Sequence, residues 1–163
     1  IKGARGAGKS TLLLQFAKIH LHDRKRLYIS LDDIVFSEKK LPDLADEFVK
    51  FGGEYLLIDE VHHYRNWPQE IKNIYDRYTS LKIVFTGSSM LHLTKGASAL
   101  SRRAVMYDLP GLSFREYLLF TRGISFPTFS LEGLLTHHIE QAKLIWKEIK
   151  PLEAFNKYLL NGY

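Results

Sequence analysis

The run Gly3-Ala4-Arg5-Gly6-Ala7-Gly8-Lys9-Ser10 constrains this chain more than any other stretch, and only Ile1 and Lys2 precede it. It fits the pattern G-x-x-x-x-G-K-[ST] at every position. Behind it, Leu12, Leu13, Phe16, Ala17, Ile19 and His20 recur at helical spacing, which predicts a helix over 10–22. Glycines ahead of a helix let the backbone wrap an anion with its N–H groups turned inward. The positive end of the helix dipole adds to that attraction. Gly3, Ala4, Arg5, Gly6, Ala7, Gly8, Lys9, Ser10 and Thr11 are therefore the candidate phosphate-binding residues, with Arg5 turned to solvent. Lys9 is expected to reach the β- and γ-phosphates, and the Ser10 hydroxyl to ligate Mg²⁺. A chance match in a glycine-rich turn would lack the strand-to-helix setting that this run has.

Such a loop ordinarily follows a buried strand. With two residues ahead of Gly3, the first strand is expected to be cut short, and the apolar ending at Tyr158, Leu159 and Leu160 suggests a domain taken from a longer protein. Further along, 27–31 and 55–58 read as short buried strands, each ending in acids. Pro42 opens a helix over 42–51, stopped by Gly52 and Gly53, and Pro68 opens another with Ile71, Ile74, Tyr75 and Tyr78 on one face. A strand is expected at 82–86, a short helix or a mobile loop at 90–99, and a last strand at 104–109. Ser113 and Glu116 form a capping box for a helix over 114–120, and the tail over 130–160 reads as helical with a break at Pro151. Alternating strands and helices with short loops predict an α/β fold: a three-layer sandwich, parallel sheet between helices, with a helical C-terminal tail. The expected division is a nucleotide-binding core over 1–125 and a tail over 126–163.

Composition excludes several classes. At 163 residues the chain is long enough for one core, and 45% hydrophobic with 25% charged residues is ordinary for a globular domain. No apolar run approaches the ~20 residues of a membrane span, so no membrane role is expected. Cysteine is absent, which removes disulfides and thiolate chemistry and suits a reducing cytoplasm. The net charge of +5 is spread along the chain, and the basic cluster over 23–26 reads as a solvated turn.

Asp59 and Glu60 follow the buried strand 55–58. An aspartate in this place holds Mg²⁺ in phosphate-loop enzymes, and a glutamate beside it can orient and deprotonate water. Adjacent strand residues point to opposite sides, so the two need not compete. A guanine-reading N/T-K-x-D motif is missing from the sequence; Thr94-Lys95-Gly96-Ala97 comes nearest and lacks the acid. The layout suits ATPases with a catalytic glutamate, in which the strand at 82–86 lies beside the phosphate-loop strand. Ser88, with Thr86 second, is the candidate sensor of the γ-phosphate.

Several blocks together resemble a known group, the AAA_14-type AAA+ ATPases whose ATPase core precedes an uncharacterised C-terminal region. They are 3–10, Leu57-Ile58-Asp59-Glu60-Val61-His62 with Asn66-Trp67, Phe85-Thr86-Gly87-Ser88-Ser89, and Leu112-Ser113-Phe114-Arg115-Glu116-Tyr117. Their order and spacing match the group over about 1–120. The resemblance implies ATP and Mg²⁺ as ligands and a P-loop NTPase core of the AAA+ kind. It also implies an arginine before the last strand: Arg103 matches, while Arg102 replaces the usual glycine. Arg103 is thus a candidate arginine finger, acting on its own nucleotide or on that of a neighbour in a homo-oligomer; its competing role is a surface ion pair. Nucleic-acid contact is expected, if anywhere, in the C-terminal region that this chain does not contain.

Other features read as structural. His62 and His63, neighbours in sequence, are poorly placed to ligate one metal ion. Asp32 and Asp33 suit a turn, and Trp67-Pro68 a helix entry. The aromatics over 114–129 suit core or interface packing. Three activities remain in competition: Mg²⁺-dependent ATP hydrolysis leads, followed by a slowly hydrolysing regulatory switch and a small-molecule kinase.

Overall fold

The computed structural model describes residues 1–88, 100 and 102–162. The helix or loop expected over 90–99, and Ser89, lie outside the described residues.

Three parallel strands form the sheet: β1 (Arg26–Ser30), β2 (Tyr55–Asp59) and β3 (Lys82–Phe85), in the order β1-β2-β3. Tyr28 pairs with Leu57, and Leu57 with Val84. Beyond β3, Gly87 makes a parallel bridge to Lys2, and Lys2 makes another to Asp108. The phosphate-loop segment therefore runs between the end of β3 and the segment leading to Leu109. β3 is inserted between the segment carrying the loop and the strand carrying the acidic pair, as the sequence layout implied.

Alternation along β2 sorts the helices into two layers. Leu57 packs with Leu13, Ala17 and Leu21 of the region of α1 (Lys9–His20). Its neighbours Leu56 and Ile58 turn the other way, into a core with Leu41, Ala45, Trp67, Ile71 and Ile74. Those residues come from α2 (Leu41–Lys50) and α3 (Trp67–Arg77), both with proline in the first turn, where a missing N–H costs nothing. Leu56, Leu57 and Ile58 are fully buried, each adding about 1.5–3 kcal/mol of burial energy. The parallel sheet between helical layers is the expected sandwich. Among the described residues, no helix is long and apolar enough to cross a membrane.

One expected element is corrected. The segment 104–109 forms no regular strand; it holds to the sheet by Lys2 N–H to Tyr107 O at 2.9 Å and Leu109 N–H to Lys2 O at 2.7 Å. Pairing there amounts to the isolated bridge between Lys2 and Asp108 among the described residues.

A second compact unit comprises Gly111–Tyr163, after Ile1–Pro110. It contains α4 (Phe114–Arg122), α5 (Leu131–Glu148) and α6 (Pro151–Asn161). The capping box is present: the Glu116 N–H donates to Ser113 Oγ, and the Ser113 N–H to Glu116 Oε2 at 2.8 Å. α4 buries Leu118 against Ile149 and Ala154, and Phe114 meets Phe155 edge-on at 5.3 Å between ring centres. These contacts tie α4 to the C-terminal helices, so the units divide at Pro110 although the sequence reading grouped 114–120 with the core. The break at Pro151 is present, and α5 carries a further kink at His137.

Gly3 shows what packing asks of the loop. A Cβ there would lie 2.4 Å from the Leu109 carbonyl oxygen. Gly3→Ala is expected to push the two segments apart and cost about 1–3 kcal/mol. The urea unfolding midpoint of the variant measures it, and a wild-type midpoint would contradict this packing.

Candidate active site

Gly8 adopts φ 90° and caps the start of α1 with no side-chain hydrogen bond. The first N–H groups of a helix have no partner within it. With no side chain capping them and no acid in the first turn, they are presented to whatever anion the loop encloses. Lys9 is 3% exposed, and its Nζ donates to Ala4 O at 2.8 Å, folding the ammonium back across the loop. Ala4, Arg5, Gly6, Gly8 and Thr11 are exposed, with Gly3, Ala7 and Ser10 partly so. Arg5 faces solvent as expected. A cationic side chain beside the uncapped start of a helix fits a phosphate chain.

The acidic strand meets this loop through Asp59, which is 2% exposed. Register accounts for its neighbours. Ile58 pairs with Phe85, so Asp59 comes level with Thr86, whose N–H bonds Ile58 O at 2.9 Å. The Thr86 hydroxyl donates to Asp59 Oδ1. Tyr28 pairs with Leu57, two residues before Asp59 on the same face, and its phenol donates to Asp59 Oδ2 at 2.9 Å. The Ser10 hydroxyl and the Glu60 amide complete the set. Burial alone would raise the Asp59 carboxyl, but the hydrogen bonds from Ser10, Thr86, Tyr28 and Glu60 together hold it below its ordinary value. The converse holds for Tyr28: burial, then the bond to Asp59, push its phenol up to about 12. An ionised carboxylate beside the Ser10 hydroxyl is the oxygen donor set that Mg²⁺ takes.

Glu60 ends the strand with φ 51° and ψ 44°, the one positive-φ residue other than glycine among those described. Left-handed backbone costs a residue with a Cβ about 1–2 kcal/mol. It is held by bonds from the Glu60 N–H to Asp59 Oδ1 at 3.1 Å and Thr86 Oγ1 at 3.2 Å. The sharp turn leads into a short 3-10 helix, Val61–His63, which brings His62 back to the Glu60 carboxylate. Ser88 Oγ donates to Glu60 Oε2 at 3.2 Å and lies 3.1 Å from His62 Nε2; His62 Nδ1 is 3.1 Å from the same Oε2. One donor atom each from Glu60, His62 and His63 falls within 4.8 Å of the others. Sequence adjacency argued against such convergence, and the left-handed turn at Glu60 is what permits it.

The structure thus joins Ser10, Asp59, Glu60, Thr86 and Ser88, while Lys9, next to Ser10, bonds Ala4 O within the loop. Arg103 stands in an ion pair instead: its Nε donates to Asp76 Oδ1 at 2.7 Å and its Nη2 to Oδ2 at 3.1 Å. The hydrogen bond from Arg103 draws the Asp76 carboxyl below its ordinary value. Arg102 is exposed. Asp33 caps the 3-10 helix Ile34–Ser37 by accepting from Val35 N–H at 3.0 Å, which is the expected turn role. Two features escaped the sequence reading: Tyr28, and a cleft of about 610 Å³ lined in part by Leu31, Phe36, Lys39, His63, Tyr64 and Glu70. Tyr28 looks like any strand aromatic, and only its register opposite Leu57 reveals it.

Comparisons with known proteins bear on this geometry. A family model described as an AAA domain matches residues 1–118. The chain belongs to this AAA domain family. Its members are nucleotide-binding ATPases in general, consistent with the loop and acidic strand above. The AAA chain is 32% identical over 173 residues to the uncharacterized protein MJ1637 of Methanocaldococcus jannaschii, covering 98% of this chain and 36% of that protein. It therefore spans little more than a third of the length of that relative. In fold it resembles the structure of C. elegans PCH-2, with a TM-score of 0.51 and 18% identity over 80% of this chain and 42% of that one.

Thr86→Val removes one hydrogen bond from the buried Asp59 and is expected to cost about 1–3 kcal/mol near neutral pH. Because the folded Asp59 pKa lies below the ordinary 3.8, its contribution is full above that value and is lost as pH falls through the folded one. The variant should accordingly unfold at higher pH than wild type on acid titration followed by circular dichroism. Identical acid transitions would contradict the assignment.

Proposed function

We propose that this chain binds ATP and hydrolyses it with Mg²⁺. The observation that carries the reading is the buried Asp59 carboxylate bonded by Ser10 of the Gly3 to Ser10 loop, with Glu60 next to it in the chain. The amides opening α1 would bind phosphate oxygens, and Lys9 would turn from Ala4 O to the β- and γ-phosphates. Mg²⁺, held through Ser10 and Asp59, would neutralise charge on those phosphates. Glu60 would take the proton of the attacking water, Ser88 would donate to the γ-phosphate, and Thr86 would keep Asp59 ionised and aimed.

Arg103 serves as an arginine finger only after leaving Asp76, so that role belongs to a nucleotide-bound or assembled state, with homo-oligomer contacts as one source of the change. The small-molecule kinase reading gains one supporting feature, the cleft beside His63. ADP release that depends on an added acceptor, absent with water alone, would favour it.

The test is paired. Lys9→Ala is expected to weaken binding of a fluorescent ATP analogue by about a hundredfold or more, a loss of roughly 2.7 kcal/mol. Glu60→Gln should bind as wild type and lower phosphate release by about 10²–10⁴-fold. Tight ATP binding by Lys9→Ala, or wild-type turnover by Glu60→Gln, would sink the proposal.

A further inference from the structure

We propose that His62 is a positioning residue for Glu60, sharing its carboxylate with Ser88 before nucleotide binds and retaining it alone once Ser88 is drawn to a phosphate. The proposal rests on the reading of Glu60 as the base. Among the described residues three side chains meet here: Ser88 Oγ is 3.2 Å from Glu60 Oε2 and 3.1 Å from His62 Nε2, and His62 Nδ1 lies 3.1 Å from Oε2, an ion-pair distance at an angle that makes no hydrogen bond. The His62 and Glu60 side chains are 14% and 21% exposed, so water competes weakly for these contacts.

A serine hydroxyl has one proton to give. While Ser88 donates it to Glu60, it has none for a γ-phosphate oxygen, and one lobe of the Glu60 carboxylate is taken up. The nucleotide-free arrangement is therefore a resting one for both groups. When Ser88 donates elsewhere, Glu60 loses that partner, and a long carboxylate side chain without a partner samples several rotamers. His62 is already in place to prevent this. Its ring is delivered by the turn Val61–His63, which follows the left-handed backbone at Glu60, so base and positioning group are fixed by one local fold. The His63 ring lies tilted beside that of His62, 4.2 Å between centres. The strained backbone at Glu60 thus has a purpose that a plain strand end would not serve: it brings the residue two positions on to the carboxylate.

The test compares steady-state ATPase kinetics of the whole chain with His62→Ala and His62→Gln. His62→Ala is expected to lower kcat about tenfold while KM for ATP stays within about twofold, the pattern of a lost transition-state contact. His62→Gln, which keeps a donor, should recover part of kcat. A His62→Ala variant with wild-type kcat overturns the proposal, as does one whose loss falls equally on ATP affinity. Should His62→Ala fail to fold, imidazole ¹⁵N shifts of His62 in the nucleotide-free wild type, Glu60→Gln and Ser88→Ala proteins decide: shifts in both variants support the contact, and none overturns it. A wild-type chain that hydrolyses no ATP overturns the reading of Glu60 and the role of His62 with it. Hydrolysis lost in Glu60→Gln but intact in His62→Ala overturns His62 alone.

Discussion

A carboxylate that is almost wholly buried yet ionised is costly unless hydrogen bonds replace its water. Asp59 meets that condition with donors from four separate places: the Ser10 hydroxyl on the phosphate loop, Tyr28 on β1, Thr86 after β3, and the Glu60 amide. The site depends on this group, because each donor comes from a different element and all must be in register for it to stay charged. A slip of one residue in either neighbouring strand would turn Tyr28 or Thr86 to the opposite face.

That requirement connects the sheet to the chemistry. The same alternation that sends Leu57 towards α1 and Leu56 and Ile58 towards α2 and α3 places Asp59 on the face of the phosphate loop. Insertion of β3 beside the bridge at Lys2 brings Thr86 and Ser88 to the same end. Glu60 then leaves the strand in a left-handed turn, and the turn delivers His62. Position in the sheet fixes the Asp59 carboxylate, while local backbone geometry fixes Glu60, the two groups to which the proposed reaction gives the metal and the proton.

Much of this was legible in the sequence because local rules govern it. The glycine pattern announces the loop, apolar runs announce β1 to β3, and Pro42, Pro68 and the pair Ser113 and Glu116 mark helix starts that the structure repeats. What stayed hidden depends on pairing between distant segments. Tyr28 gains its role only from register opposite Leu57. Thr86, ranked second as a sensor, is committed to Asp59 and the Glu60 amide, which follows from lying level with Asp59 across the ladder. The strand expected over 104–109 comes down to one bridge, Lys2 to Asp108, among the described residues, because pairing with a distant segment cannot be read locally. His62 looked inert because neighbouring histidines normally diverge, and no residue pattern announces a left-handed glutamate.

The central claim is that Asp59 is a metal-holding carboxylate rather than a buried structural acid. Binding of a fluorescent ATP analogue to wild type and Asp59→Asn, each titrated with and without Mg²⁺, tests it most directly. The account predicts that Mg²⁺ tightens binding to wild type, and that Asp59→Asn binds the metal-free nucleotide comparably but loses most of the Mg²⁺ effect. An Asp59→Asn protein that folds and keeps the full wild-type Mg²⁺ dependence would contradict it.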